Sequence, residues 1–335
     1  MILVTGGTGL VGSHLLYRLV EQGQTVRAIF RNARRLEKVK KVFSYYSSDH
    51  EILFQRIDWV ESDILDLPSL EAAFSGVEKV FHCAALISFQ PNDYFKMRKV
   101  NISGTANIVN LCLQYKIDKL CYVSSIAALG ASNAQQPVTE DQDWLAEKQA
   151  SAYSLTKYGG EMEVWRGSQE GLKAVIVNPG VILGPGFWRS GSGAIFTMVQ
   201  RGLNYYPSGR TGFVHVDDVV KAMTSLMNSS IVSERFILVS DNGEWKDVLK
   251  QIAQGLSSKV PKRVANRCVL GIALFTDALR SLLTGKQRRI TKSSIRSMAN
   301  QTLYDGRKIT NTLGLNYLSL RDSISSCCAF LLKES

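Results

Sequence analysis

Residues 1–15 read MILVTGGTGLVGSHL, and this stretch decides the fold. An apolar run from Met1 to Val4 leads directly into Gly6, Gly9 and Gly12, and an apolar-periodic stretch follows over 10–20. That order predicts a strand, a tight turn and a helix. Gly6 lets the chain turn sharply off the strand. Gly9 lets backbone approach a ligand with no Cβ in the way, and Gly12 lets the helix pack closely. The N–H groups and dipole at the start of such a helix favour an anion, so the expected ligand is the diphosphate of a dinucleotide. A second apolar run over 25–30 lies at the right distance to complete a βαβ unit.

Working outward, apolar β-branched runs recur at 2–5, 25–30, 57–60, 79–82, 119–124, 174–178 and 236–239. Helical patterns lie between them at 10–21, 68–74, 101–115 and 154–167. Strands that are apolar without alternation, separated by helices, predict a parallel sheet covered on both faces: a Rossmann-type doubly wound α/β fold. From Val181 the pattern loosens. Residues 184–193 are rich in Gly and Pro and read as a loop, and 245–256 and 264–283 read as helices. We therefore expect a dinucleotide-binding domain over 1–180, with strands returning at about 211–240. A smaller C-terminal substrate-binding lobe takes up 181–210 and 241–335, with a ligand site at the junction.

Composition narrows the class. The chain has 335 residues, 45% of them hydrophobic and 21% charged, which suits a globular protein. With the first strand starting at residue 2, no signal peptide is expected, and no apolar run is long enough to predict a spanning helix. The six cysteines form no CxxC pair, so neither metal nor disulfide chemistry is expected, and a reducing cytoplasm fits. The net charge of +11 is uneven. Residues 246–308 carry fourteen Lys and Arg against Asp247, Asp277 and Asp305, which equals the whole excess. No nucleic-acid-binding module is recognisable, so that class is set aside. The apolar helix in the basic region, VLGIALFTDALRSLL at 269–283, fits a core-packing helix with a basic rim, a peripheral membrane contact, or an electrostatic site for acidic ligands.

Tyr153 and Lys157 stand four residues apart in AYSLTKYGGEMEV and share a helix face. A phenol with a pKa of about 10 is a poor acid or base at neutral pH, and a neighbouring ammonium lowers that value. Lowering it by about three units requires roughly 4 kcal/mol.

Taken in order, these segments resemble the extended short-chain dehydrogenase/reductases, the NAD-dependent epimerase/dehydratase superfamily, nearest its dihydroflavonol reductase and 3β-hydroxysteroid dehydrogenase branch. The matching segments are TGGTGLVG (5–12), FHCAAL (81–86), VNISGTANIV (100–109), YVSSIAALG (122–130), YSLTK (153–157), NPGVILGPG (178–186) and FVHVDDVV (213–220). The match covers about residues 1–240, and the C-terminal third resembles the family only loosely. The resemblance implies an enzyme with Tyr153 as acid/base. Lys157 would hold the nicotinamide ribose and depress the tyrosine pKa, and Ser125, chosen over Ser124, would bond the substrate oxygen. Asn101 completes the catalytic set in a mostly structural role. Cofactor contacts are implied for Gly6, Thr8, Gly9, Leu10, Val11, Gly12, Asp63, Ile64, Ala84, Ala85, Pro179 and Val181. Asp217 and Asp218 look like a helix cap in a family landmark. Arg31 closes the second strand where an acid would select NAD; a guanidinium suits a 2′-phosphate, so NADP is the expected cofactor, with NAD the alternative.

The resulting expectation is an NADP(H)-dependent oxidoreductase of a secondary alcohol or carbonyl on a small-molecule, apolar substrate. The alternatives are an NAD-dependent sugar-nucleotide epimerase, with Arg189, Arg201 or Arg210 for the diphosphate, and a non-catalytic dinucleotide sensor. The family's pairing through the Asn101 and Tyr153 segments implies a homodimer.

Overall fold

The computed structural model describes residues 1–130, 136–142, 151–284, 288 and 291–334. Its strands, in chain order, are β1 (Ile2–Thr5), β2 (Val26–Phe30), β3 (Ile57–Glu61), β4 (Lys79–His82), β5 (Lys119–Val123), β6 (Ala174–Pro179), β7 (Val181–Leu183), β8 (Tyr205–Tyr206), β9 (Arg210–His215), β10 (Glu234–Leu238), β11 (Asp241–Glu244) and β12 (Arg263–Val264). Seven of them form one sheet in the order β10-β6-β5-β4-β1-β2-β3, with every neighbour parallel. These are the seven strands expected from the sequence.

The strands are apolar on both sides because both faces are covered. In β1, Ile2 and Val4 join the core beneath the helices Leu10–Glu21 and Val216–Asn228, while Leu3 joins the opposite core. In β5, Cys121 and Val123 face the first core, and Leu120 and Tyr122 the second, beneath Gly104–Gln114 and Ala152–Gln169. Period-two alternation of buried residues on two faces is what a doubly wound sheet requires. The chain reverses its winding between β1 and β4, so the carboxyl ends of those strands open a crevice where such folds bind ligands.

The C-terminal part has its own core, built from Trp188, Phe196, Phe213, Trp245, Leu249, Ile252, Cys327 and Leu331 among others. Part of the segment expected to return to the main sheet instead builds this region: β9 pairs with β7 and β11 in a separate sheet, and β10 alone rejoins the large one. Within the basic stretch at 31–41 begins the helix Leu36–Phe43. Val39, Val42 and Phe43 are buried there at helical spacing, and Phe43 meets Tyr17 edge-on at 5.4 Å. The expected cap at Asp217 and Asp218 is supplied two residues before Asp217: the His215 side chain accepts from the Asp217 N–H. Asp218 instead accepts from the Leu318 N–H at 2.9 Å.

Among the described residues, no helix is long and apolar enough to cross a membrane, no cluster of His, Cys, Asp and Glu could hold a metal, and Cys83, Cys112, Cys121, Cys327 and Cys328 are free thiols.

Candidate active site

The glycine turn occupies the crevice beyond β1. Gly6 has φ +70°, and a Cβ there would stand 2.6 Å from the Ala84 backbone nitrogen. A Cβ on Gly12 would fall 2.2 Å from the Gly6 carbonyl oxygen. The helix is thus packed directly on its own turn, and the turn on the segment after β4. Gly9 begins the Leu10–Glu21 helix with no side-chain cap, leaving the first N–H groups to a ligand. A Cβ on Gly9 would touch only the Gly6 oxygen, at 3.3 Å, so the space beyond it is open. Backbone donors, a missing Cβ and an uncapped helix start together fit a dinucleotide diphosphate. Thr8, Leu10 and Val11 lie in the same turn and first helical residues.

Ala84, Asp63 and Arg31 follow the ends of β4, β3 and β2. Ala84 is held by its N–H to Thr5 Oγ1 at 3.2 Å, and Ala85 is exposed beside it. Ile64 is buried under the Asn101 segment, where its Cδ1 fills the space a Cβ on Gly104 would need. Asp63 accepts from the Leu65 N–H and faces Arg31, whose Nη1 lies 3.4 Å from its Oδ2. At 59% and 35% exposure this pair is weakly held, and the guanidinium can turn to another anion. Asn32 caps the following turn by accepting from the Arg34 N–H.

The catalytic candidates converge from β5 and the Ala152–Gln169 helix. Ser125 stands close enough to Tyr153 to lower its phenol pKa, and its own hydroxyl accepts from the Ala127 N–H at 3.1 Å. Both line a cleft of about 800 Å³, together with Gly180, Val181, Arg210, Lys292 and Arg296. Pro179 precedes this wall as the buried end of β6. Arg189 and Arg201 do not line the cleft. The Ser125 carbonyl accepts from Asn178 Nδ2 at 3.1 Å, and the same amide bonds buried Glu161 at 2.5 Å. Glu161 also meets Arg235 at 3.5 Å.

Lys157 departs from expectation. Its buried Nζ donates to Tyr122 Oη and to the Val123 carbonyl, each at 2.9 Å, and not to Tyr153. Burial pushes the Tyr153 phenol up to about 12, only partly offset by the neighbouring Ser125, where the sequence reading expected a depressed value. Burial also holds the Lys157 ammonium down to about 8, against the pull of Glu161.

Asn101 sits in a single π-helical turn, Lys99–Ser103, between Tyr94–Arg98 and Gly104–Gln114. Its amide is fully used. Oδ1 accepts from the Leu86 N–H at 2.7 Å, and Nδ2 donates to the Leu86 carbonyl and to Thr156 Oγ1. It therefore ties the post-β4 segment to the catalytic helix.

Beneath it runs a chain the sequence did not reveal. The Ala84 N–H donates to Thr5, whose hydroxyl is left to donate to His82 Nδ1 at 2.6 Å. Thr105 donates to the Asn101 carbonyl and so accepts from His82 Nε2–H at 3.0 Å. That assigns the tautomer, and burial, helped by Lys157, holds the imidazole near 3, so it stays neutral. Glu161 was legible in principle, four residues after Lys157 on the same helix; the cleft positions of Lys292 and Arg296 had no local signal.

Known proteins resemble this chain in sequence and fold. The model of the NAD dependent epimerase/dehydratase family matches residues 2–238. Tetraketide alpha-pyrone reductase 2 of Arabidopsis thaliana is 30% identical over 264 residues, covering 74% of this chain and 80% of its own length. Dihydroflavonol 4-reductase of Dianthus caryophyllus is 25% identical over 266 residues, covering 76% and 72%. The structure of UDP-glucose 4-epimerase from Thermotoga maritima superposes with a TM-score of 0.77 at 22% identity, over 99% of both chains. With the family model matching residues 2–238 and the glycine turn opening the matched region, the chain belongs to the NAD-dependent epimerase/dehydratase family and is an NAD(P)-dependent enzyme of the extended short-chain dehydrogenase/reductase type.

Proposed function

We propose that this enzyme is an NADP(H)-dependent oxidoreductase interconverting a secondary alcohol and a carbonyl. The observation that carries the reading is the placement of Ser125 and Tyr153 side by side on the wall of the cleft of about 800 Å³. When bound, the nicotinamide supplies or accepts the hydride. Ser125 holds the substrate oxygen, and the Tyr153 hydroxyl exchanges a proton with it. Lys157 is one helical turn away, and its role is to lower the cost of the tyrosinate once its Nζ turns from Tyr122. Asn101 positions the catalytic helix. Arg31, weakly paired with Asp63, supports a 2′-phosphate partner and hence NADP. The named relatives include reductases, in keeping with this direction of chemistry.

The test is absorbance at 340 nm with NADPH and NADH against a panel of steroid, flavonoid, aldehyde and CoA-linked carbonyls. Net NADPH consumption is expected, with Tyr153→Phe losing about 10²–10⁴ of kcat while binding NADPH as before. Full turnover by Tyr153→Phe refutes the proton role.

One observation favours a second reading, an epimerase that retains NAD. Arg210, Lys292 and Arg296 bring three cations to the cleft, as a nucleotide diphosphate would want. Co-purifying NAD, with turnover and no net absorbance change, would decide for it. A homodimer remains part of the proposal, read out by light scattering.

A further inference from the structure

The helix Arg267–Thr284 is inverted relative to an ordinary surface helix. Its large apolar side chains face out: Ile272, Phe275, Leu279, Leu282 and Leu283 are between 47% and 81% exposed. At about 100° per residue these five fall within roughly 100° of arc, a single stripe. Its charges face in: Asp277 is buried and paired with Arg280 at 2.9 Å. None of its apolar side chains joins the four hydrophobic clusters of the body among the described residues.

The surroundings are of one sign. Between Lys259 and Arg296 the sequence holds ten Lys and Arg and a single acid, the buried Asp277. Lys262 and Arg263 are exposed just before the helix, and Arg288, Lys292 and Arg296 are exposed after it. An apolar stripe bounded by cations, with no exposed acid to balance them, matches the interface of an anionic bilayer. There the stripe enters the acyl boundary and the cations meet headgroups. The helix does not span, since among the described residues no helix is long and apolar enough to cross.

We infer that the Arg267–Thr284 helix docks the enzyme on the surface of an anionic phospholipid membrane, lying in the interface plane. The next helix, Lys292–Ala299, supplies Lys292, Ser293, Arg296 and Ser297 to the cleft wall, so docking holds the cleft beside the lipid, where an apolar substrate partitions.

Flotation of the full-length protein tests this, using vesicles of phosphatidylcholine alone and of phosphatidylcholine with one third phosphatidylglycerol. Wild type is expected to float with the anionic vesicles at low salt, and about tenfold less with neutral vesicles or at high salt. The exposed triple variant Phe275→Ser, Leu282→Ser, Leu283→Ser is expected to lose about tenfold of that binding, with unchanged melting temperature and NADPH affinity. Lys262→Ser with Arg263→Ser should weaken it in the same way. Wild type staying with the soluble fraction, or the triple variant floating equally well, overturns the inference. So does light scattering in which the triple variant converts a dimer to a monomer, which would assign the stripe to a second copy of the chain.

Discussion

Replacing Gly12 with Ala tests the packing of the cofactor turn most directly. The new Cβ would stand 2.2 Å from the Gly6 carbonyl oxygen and 2.8 Å from the Gly6 carbon and Gly7 Cα. These are backbone atoms, and a carbon–oxygen contact relaxes only at about 3.3 Å, so helix and turn must part by roughly 1 Å. The turn cannot retreat freely, because Gly6 itself abuts the Ala84 backbone. Overpacking of this kind costs about 1–3 kcal/mol, and a rigid obstacle places it at the upper end. At about 2–4 °C per kcal/mol, melting should fall by roughly 5–10 °C. Gly9→Ala is the contrast: its Cβ meets only the Gly6 oxygen at 3.3 Å, so stability should hold. The added methyl instead enters the open side where the N–H groups meet a phosphate. Losing one hydrogen bond to a charged oxygen costs about 1.5–3 kcal/mol, or about 10–150-fold in NADPH affinity. Differential scanning fluorimetry and NADPH titration read both quantities. A Gly12→Ala protein melting within a degree of wild type, or a Gly9→Ala protein binding NADPH with undiminished affinity, would refute the assignment of these two glycines.

Burial holds Lys157 near 8 in the native chain against 10.5 unfolded, so between those values the unfolded chain binds a proton that the native chain lacks. Wild type should therefore gain about 3 kcal/mol over Lys157→Met as pH rises from 7.5 toward 10.5, read from urea melts across that range, and a pH-independent difference would count against it. Glu334 accepts hydrogen bonds from Lys41, Tyr45 and Trp188, clasping the end of the Leu320–Glu334 helix to the cofactor domain and the 184–193 loop. Burial raises its carboxyl, but those donors outweigh burial and hold it below the usual value of 4.5. Glu334→Gln should cost about 1–2 kcal/mol above pH 4.5, with the difference shrinking as pH falls below it; an unchanged melt at pH 7 would argue against the clasp. Arg31→Ser should weaken NADPH at least about tenfold and leave NADH within a factor of about two by titration; equal losses would remove the 2′-phosphate argument.

Much of the fold was legible because it rests on local rules. Seven apolar runs became seven strands, since the central strands, covered on both faces, offer few polar positions to confuse their reading. Gly6 and Gly12 announced the turn because only glycine satisfies the positive φ of the first and the close backbone approach of the second, while Gly9 leaves open space above the helix start. Tyr153 and Lys157 could be paired because four residues on a helix share a face whatever surrounds them. By contrast, β9 looked like a returning sheet strand, since its apolar residues suit either sheet, and its pairing with β7 and β11 is a long-range choice. His215 took the cap from the two aspartates because Asp218 was drawn to the Leu318 N–H, a hundred residues away in sequence.

What the chain determined on its own was the nucleotide end of the site, where the chemistry is carried by backbone and by neighbours within one turn. Tertiary structure alone decided the rest. It turned Lys157 toward Tyr122 and Val123, buried Tyr153 enough to push its phenol up to about 12, and brought Lys292 and Arg296 to a cleft whose other wall begins at Ser88. It also turned the apolar stripe of the Arg267–Thr284 helix outward. Hydrophobic periodicity says that a helix has an apolar side; which way that side faces depends on what the rest of the chain already covers.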